Sequence, residues 1–442
     1  MKKYQAYKNS GVEWVGEIPE GWKMKRLTYV GDFSKGGGIS KADLTETGVP
    51  VLLYGDIYTK YDIATKVLVR HTSNEVAENS KAISFGDILF TGSGETIEDI
   101  GKCITYLGED EAYAGGDVLI FRPKSANSLF LSYLLNSAEI NAEKSKLAKG
   151  QIIIHIYSSQ LRNLAVSFPS LTEQTQIAKY LDCKTGKIDT LIDKKKRLIE
   201  LLKEERTAVI NQAVTKGLDP NAPMKDSGIE WLGKIPKHWE ITKLKFIGNS
   251  IIGVTYSPED IVDNAKKGTL VLRSSNIQGG KLSLKSTVYI KKTISAKLTL
   301  KKGDILICSR NGSKSLIGKN ICIDEKCEGK TFGAFMTVFR SKNYEFLSLF
   351  FNSEIFKSQS GLFLTATISQ LTVDTLNNFY ITIPPSKGEQ NTIAMYIEEM
   401  IQKTDVVISK TQKEITFLQE YKTALISEVV TGKVDVRNEV IN

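Results

Sequence analysis

The chain has 442 residues, is 41% hydrophobic and 25% charged, and carries a formal net charge of +9. That is room for two or three globular domains of ordinary composition, with a basic balance that favours an anionic partner, most simply nucleic acid. The opening MKKYQAYKNSGVEWVG has no apolar signal core, no run reaches the length of a membrane span, and the five cysteines and three histidines form no CxxC or zinc-type spacing. The expectation is a cytoplasmic protein with buried thiols, no membrane contact, no metal and no cofactor.

In chain order, the first informative segment is Lys8 to Gly31, KNSGVEWVGEIPEGWKMKRLTYVG. It returns without a gap at Lys225 to Gly248 as KDSGIEWLGKIPKHWEITKLKFIG, with both tryptophans and the Ile-Pro pair kept. A duplication of this length makes the chain an internal repeat. Trp14, Trp22, Trp231 and Trp239 are read as apolar packing at a domain edge.

Each copy continues as mixed α/β sequence with short strands. Val49 to Ile57 (VPVLLYGDI) and Thr269 to Ile277 (TLVLRSSNI) are strand-like at equivalent places. Phe85-Gly86-Asp87-Ile88-Leu89-Phe90 and Lys302-Gly303-Asp304-Ile305-Leu306-Ile307 each predict a turn feeding a strand. Both run into polar, glycine-bearing loops, Thr91 to Lys102 and Cys308 to Lys319. Leu119-Ile120-Phe121-Arg122 answers Thr337-Val338-Phe339-Arg340, and short amphipathic helices follow near Phe130 to Ser137 and Phe346 to Ser353. A polar turn (Ala148 to Gln151; Leu364 to Ile368) and a strand ending at Phe168-Pro169 or Ile383-Pro384 close each copy.

Two long amphipathic stretches come next. From Ser170 to Gly217, Ile177, Leu181, Ile188, Leu191, Ile192, Leu198, Ile199, Leu202, Val209 and Ile210 recur at three- and four-residue steps. Ser170 or Thr172 can cap its start and Gly217 its end. Roughly forty residues at ~1.5 Å each make a rod of about 60 Å, too long for one compact core. The stretch recurs from Pro385 at a shift of 216. Its narrow apolar stripe suits two long helices lying antiparallel, with Lys195 and Thr404 interrupting the seam. The divisions are residues 1–168, a first globular domain; 169–217, a central long helix; 218–224, a linker; 225–384, a second globular domain; 385–434, a second long helix; and 435–442, a tail. The fold class is α+β. The tail VTGKVDVRNEV resembles the chain leaving the first helix, so the amino-terminal motif is expected to meet it in a cyclic, pseudo-two-fold arrangement.

Catalytic motifs fail on inspection. Phe90 to Gly94 has the F-x-G-x-G form of a methyl-donor loop, but no N/D-P-P-Y/F follows to hold a target amine. Gly312 to Lys319 misses the P-loop spacing, and Asn320 stands where a Ser or Thr would hold magnesium. Asp324-Glu325-Lys326 lacks a spaced acidic partner. No catalytic residue and no metal ligand is assigned.

What differs between the copies is the loops. Arg273, Ser274, Ser275, Asn276, Arg310, Asn311, Ser313 and Lys314 are types that bond base edges and phosphates. Their counterparts in the first copy are Tyr54, Asp56, Thr91, Ser93, Glu95 and Thr96, with Lys149 and Gln151 on a third loop. The first set is less basic.

The paired SGVEWVGEIPEGW and SGIEWLGKIPKHW segments, the GDIL turns and the helix starts PSLTEQTQIAKYLD and PSKGEQNTIAMYIEE resemble those of type I restriction-modification specificity subunits over essentially the whole length. The helix ends ERTAVINQAVTKG and YKTALISEVVTGK belong to the same resemblance. It implies two mixed α/β target-recognition domains, each reading half of a split, double-stranded DNA site, joined by two long antiparallel, coiled-coil-like helices that set the half-site spacing. It also implies two modification (methyltransferase) subunits docked on this scaffold, restriction (translocase/endonuclease) subunits joining them, and no catalysis by the chain itself. A stand-alone sequence-specific DNA-binding protein and an adenine methyltransferase with fused recognition domains are the alternatives.

Overall fold

The computed structural model describes residues 2–362 and 370–441; the polar turn expected at Leu364 to Ile368 lies outside them. The chain divides into two compact units that do not follow chain order. The first is Met1–Lys196 together with Gln412–Asn442, and the second is Arg197–Thr411. Each long helix is therefore shared. The start of the first and the end of the second belong with the amino-terminal domain, and the converse halves belong with the other domain.

The duplicated tryptophan segments fold alike. Tyr7–Asn9 pairs with Glu17–Pro19, and Met224–Asp226 pairs with Lys234–Pro236 in the same register. Asn9 Oδ1 and Asp226 Oδ1 each accept the N–H two residues on, that of Gly11 and of Gly228, at 2.8 Å. Both glycines have left-handed φ, 75° and 71°. Only a short polar side chain followed by glycine makes this turn cheaply, which is why the pair survives in both copies. Trp22 and Trp239 are fully buried, as expected of packing residues, whereas Trp231 is about half exposed at 49%.

Each unit carries two larger sheets, and one of them repeats closely, antiparallel except for the last pair in the first unit, which is parallel. In the first unit its order is Gly31–Lys35, Val118–Pro123, Ile88–Thr91, Cys103–Tyr106, then Ala64–Thr65. The second repeats it as Asn249–Ile252, Met336–Arg340, Ile305–Cys308 and Asn320–Cys322. The GDIL turns feed the central strands, with Gly86 and Gly303 at φ 87° and 85°. The following aspartates, both buried, hold a guanidinium with two bonds each: Arg122 to Asp87 at 2.7 and 2.6 Å, Arg340 to Asp304 at 2.7 and 2.7 Å. The four-residue echoes ending in Arg122 and Arg340 are thus one clamp built twice.

Two strand expectations are too long. Val49–Leu52 is a strand, but Tyr54–Thr59 turns into a helix; Thr269–Leu272 is followed by a 3-10 turn at Ser274–Asn276. The apolar run ends at these points. In the second copy the Asn276 side chain accepts from the Arg273 N–H at 2.9 Å and curls the chain away from the sheet.

The long helices run Leu171–Lys216 and Lys387–Val430, 46 and 44 residues. Ser170 Oγ and Ser386 Oγ accept the Glu173 and Glu389 N–H groups, so serine is the cap in both. In the first unit Asp189 and Lys195 meet Lys422 and Glu414, and in the second Arg206 meets Asp405, so the helices pair antiparallel. Of the predicted stripe, Ile177, Leu181, Ile188, Ile192, Ile199 and Ile210 are buried, but Leu191 and Leu198 are 43% and 42% exposed. A single partner helix covers only a narrow seam and leaves these flanking positions open. Lys195 does not fray: its Nζ lies 2.5 Å from Glu414 Oε2.

The chain ends meet within the first unit. Lys2 bridges Asp435, the Tyr7 hydroxyl donates to the Gly432 carbonyl at 3.2 Å, and Arg437 stacks over the Tyr4 ring at 4.8 Å.

Candidate nucleic-acid interface

In each unit one divergent loop follows the central strand of the sheet described above, and the other follows Val49–Leu52 or Thr269–Leu272, strands of a second sheet. In the first unit, the helix Tyr54–Thr59 and the segment after Ile88–Thr91 wall a cleft of about 540 Å³ lined by Lys41, Tyr54, Asp56, Arg70, Glu95 and Thr96. Tyr54, Glu95 and Thr96 face solvent there. The third predicted loop joins them. Ser93–Gly94 pairs with Ile154–His155, and Lys149 exchanges both backbone bonds with His155, leaving Lys149 and Gln151 exposed beside the cleft. Gly150 (φ 125°) permits this hairpin, since a Cβ there would stand 2.0 Å from the Ile153 carbonyl oxygen.

Three residues predicted for this site turn inward. Asp56 is buried with Oδ1 3.4 Å from Arg70 Nε, while Oδ2 has no partner. Thr91 is buried and accepts from the Tyr58 hydroxyl at 2.8 Å. Burial pushes that phenol's pKa up, favouring the protonated donor. Ser93 is buried between Asp117 Oδ2 at 3.0 Å and His155 Nδ1 at 2.9 Å. These groups shape the wall and do not reach out of it. Arg70 and Tyr58 complete it, His155 supports Ser93 behind it, and all three were missed in the sequence; only the need of a buried aspartate for a cation hints at Arg70.

Behind the first loop lies Lys144, fully buried, its Nζ 2.6 Å from the Gly101 carbonyl oxygen. Burial pushes its pKa down to about 8. Gly101 ends the loop that carries Glu95 and Thr96, so this bond pins the loop from inside.

In the second unit, Asn311 Nδ2 donates to Ser274 Oγ at 3.2 Å and ties the two predicted loops together. Arg310, Ser313, Lys314 and Ser275 are exposed, and Arg273 and Ser274 half-buried. Asn276 is the exception. It is fully buried, and its amide donates to the Ser283 and Ser286 carbonyls at 3.0 and 2.8 Å, so it holds the turn from within. Phe335, which no sequence signal marked, is 59% exposed with the Arg310 guanidinium 5.3 Å above its ring. The first site thus presents tyrosine, acidic groups and lysines around one clamped arginine, and the second presents arginines unpaired among the described residues.

Among the described residues, no group of three or more His, Cys, Asp and Glu could hold a metal ion, and no helix is long and apolar enough to cross a membrane.

Comparison with known proteins fits this duplicated architecture. A family model described as the type I restriction modification DNA specificity domain matches twice, at residues 19–202 and 236–416. The MjaVIII type I restriction enzyme specificity subunit of Methanocaldococcus jannaschii is 28% identical over 435 residues, 95% of each chain. The EcoKI specificity subunit of Escherichia coli is 28% identical over 209 residues, 46% of this chain and 44% of that one. Two solved structures share the fold at 15% identity. A chain from a study of assembly and conformational transition of the type I R-M system has a TM-score of 0.69, covering 94% of this chain and 99% of its own. The HsdS subunit from Thermoanaerobacter tengcongensis has a TM-score of 0.54, covering 94% and 98%.

Proposed function

Because the chain belongs to the type I restriction-modification DNA specificity family, we propose that it selects the DNA site of such a complex, each unit reading one half of a bipartite, asymmetric target. The observation that carries this is the repeat itself. One four-strand frame is built twice, down to the Asp–Arg clamp, while the loops that follow equivalent strands differ in residue type. Two like frames with unlike loops make two readers of different half-sites. The long helices fix the spacing between half-sites, and two modification subunits dock on the scaffold, with restriction subunits joining them.

In this reading the outward residues Tyr54, Glu95, Thr96, Lys149 and Gln151 contact the first half-site. Arg273, Ser274, Ser275, Arg310, Asn311, Ser313 and Lys314 contact the second. Asp56, Thr91, Ser93 and Asn276 position them from within. The work is recognition, carried out on double-stranded DNA in the cytoplasm; the methyl transfer and cleavage belong to the partner subunits, and the chain needs no cofactor of its own.

The test is co-expression with a type I modification subunit from the same genome and mapping of N6-methyladenine in the host DNA. Two unlike half-sites separated by a fixed gap are expected. A continuous palindromic motif would overturn the two-reader arrangement. No methylation from an assembled complex, with tight site-specific binding by the chain alone, would favour the stand-alone binder.

A further inference from the structure

Several arginines of the two units are spoken for. Arg122, Arg340, Arg70 and Arg206 each sit against a carboxylate. Arg310 and Arg273 differ, because among the described residues neither makes an ion pair. Arg310 is nevertheless held. The Phe335 carbonyl accepts its backbone N–H at 3.1 Å, together with the Ser309 N–H and hydroxyl at 3.0 and 3.1 Å, and the ring of the same phenylalanine underlies its guanidinium. Arg273 donates one terminal N–H to Ser286 Oγ at 3.3 Å, and its Nε is buried without a partner. The Asn311–Ser274 bond joins the residues immediately following these two arginines. A fixed, unpaired, exposed guanidinium is what base reading requires, whereas a phosphate contact needs only a charge.

We propose that Arg310 determines specificity for a guanine in the half-site read by the second unit, its fork donating to O6 and N7 in the major groove. This rests on the reading of the chain as a DNA specificity component. Guanine offers two adjacent acceptors there, while adenine replaces O6 by an amino donor that faces the guanidinium donor to donor. Phe335 supplies the flat support that fixes the plane of the fork. Lys314, exposed on the same loop, is a phosphate contact without base preference. The first unit has no equivalent reader: the aligned position is Ser93, locked between Asp117 and His155. Arginine reading therefore distinguishes one half-site from the other.

The experiment compares methylation maps of the full chain and its Arg310→Ala, Arg310→Gln, Phe335→Leu and Lys314→Ala variants, each co-expressed with the modification subunit. Arg310 and Phe335 are exposed, so these variants keep the fold. Arg310→Ala should lower discrimination at one guanine of one half-site by roughly 5- to 150-fold and leave the other half-site unchanged. Arg310→Gln should move the preference there towards adenine, because an amide pairs with N6 and N7. Phe335→Leu should relax the same position by less. Lys314→Ala should weaken modification of all sites alike and flatten its salt dependence. If Arg310→Ala acts as Lys314→Ala does, uniformly and with no base relaxed, the guanine assignment is overturned while the bipartite reading stands. If the parent chain yields no bipartite motif, it is the functional reading that fails.

Discussion

Trp239 donates its indole N–H to Glu389 Oε1 at 2.8 Å, tying the second tryptophan segment to the first turn of the second long helix. The first copy repeats it with Trp22 and Glu173 at 3.1 Å, where the Tyr4 hydroxyl adds a bond of 2.7 Å. In each unit the glycine that ends the other long helix, Gly217 or Gly432, lies against the same indole with left-handed φ, 72° and 78°. Sequence conservation between the copies thus marks a joint where a helix end, a tryptophan and a helix start converge. Trp22→Phe and Trp239→Phe should each cost about 1.5–3 kcal/mol, the range for a lost hydrogen bond to a charged group, read as a lower melting temperature.

Two repeat-equivalent ion pairs cross between the helices, Lys422–Asp189 and Arg206–Asp405, and each is joined by a residue of the adjacent globular domain. The signs differ. Asp62 adds to the cationic member in the first unit, and Lys281 adds to the acidic member in the second. Lys422 is mostly buried; burial pulls its pKa down, but the bonds from Asp62 and Asp189 outweigh that and leave it raised. Lys422→Met should cost about 1–3 kcal/mol, because two carboxylates lose their partner, whereas the more exposed Arg206→Met should cost under about 1 kcal/mol. Denaturation midpoints of the two variants check the contrast.

The clamps predict a larger effect. Asp304 is 1% exposed, and besides its two bonds to Arg340 it accepts the Lys301 N–H at 2.8 Å. Asp304→Asn removes the charge and one acceptor, which should destabilise by about 3–5 kcal/mol. Asp87→Asn should behave alike, and a thermal scan of each variant settles the comparison.

Lys144 makes stability depend on alkaline pH. Its folded pKa of about 8 lies below its ordinary value of 10.5, so between these values the unfolded chain binds the proton and the folded chain does not. Stability therefore rises with pH across that window, by at most about 1.4 kcal/mol per unit. Lys144→Met lacks this dependence. Melting the two proteins side by side at pH 7.5 and 9.5 should show the difference moving in favour of the parent chain at the higher pH.

The frame was legible in the sequence because duplication and periodicity both carry it. The serine caps, the GDIL turns and the long helices stand where those signals put them. The sites were legible only in part. Asp56, Thr91, Ser93 and Asn276 have the composition of contact residues, yet buried hydrogen bonds claim their side chains, and a sequence does not say which way a polar group turns. Leu191 and Leu198 fit a helical stripe but lie beyond the strip that one partner helix can cover. Phe335 was invisible because its role depends on Arg310, 25 residues earlier in the chain and brought beside it only by the fold.

The split of the first unit between Met1–Lys196 and Gln412–Asn442 sets an order of events on the ribosome. The amino-terminal domain is synthesised first, yet the helical segment that pairs with Asp189 and Lys195 is synthesised last. At about 5–20 residues per second, the intervening stretch occupies the ribosome for roughly 10–40 s, during which Asp189 and Lys195 lack their native partner helix. The second unit, whose segments lie between, is complete before the first. Nascent chains arrested near Thr411 should accordingly be cut by protease between residues 186 and 196 and protected once the last thirty or so residues have emerged.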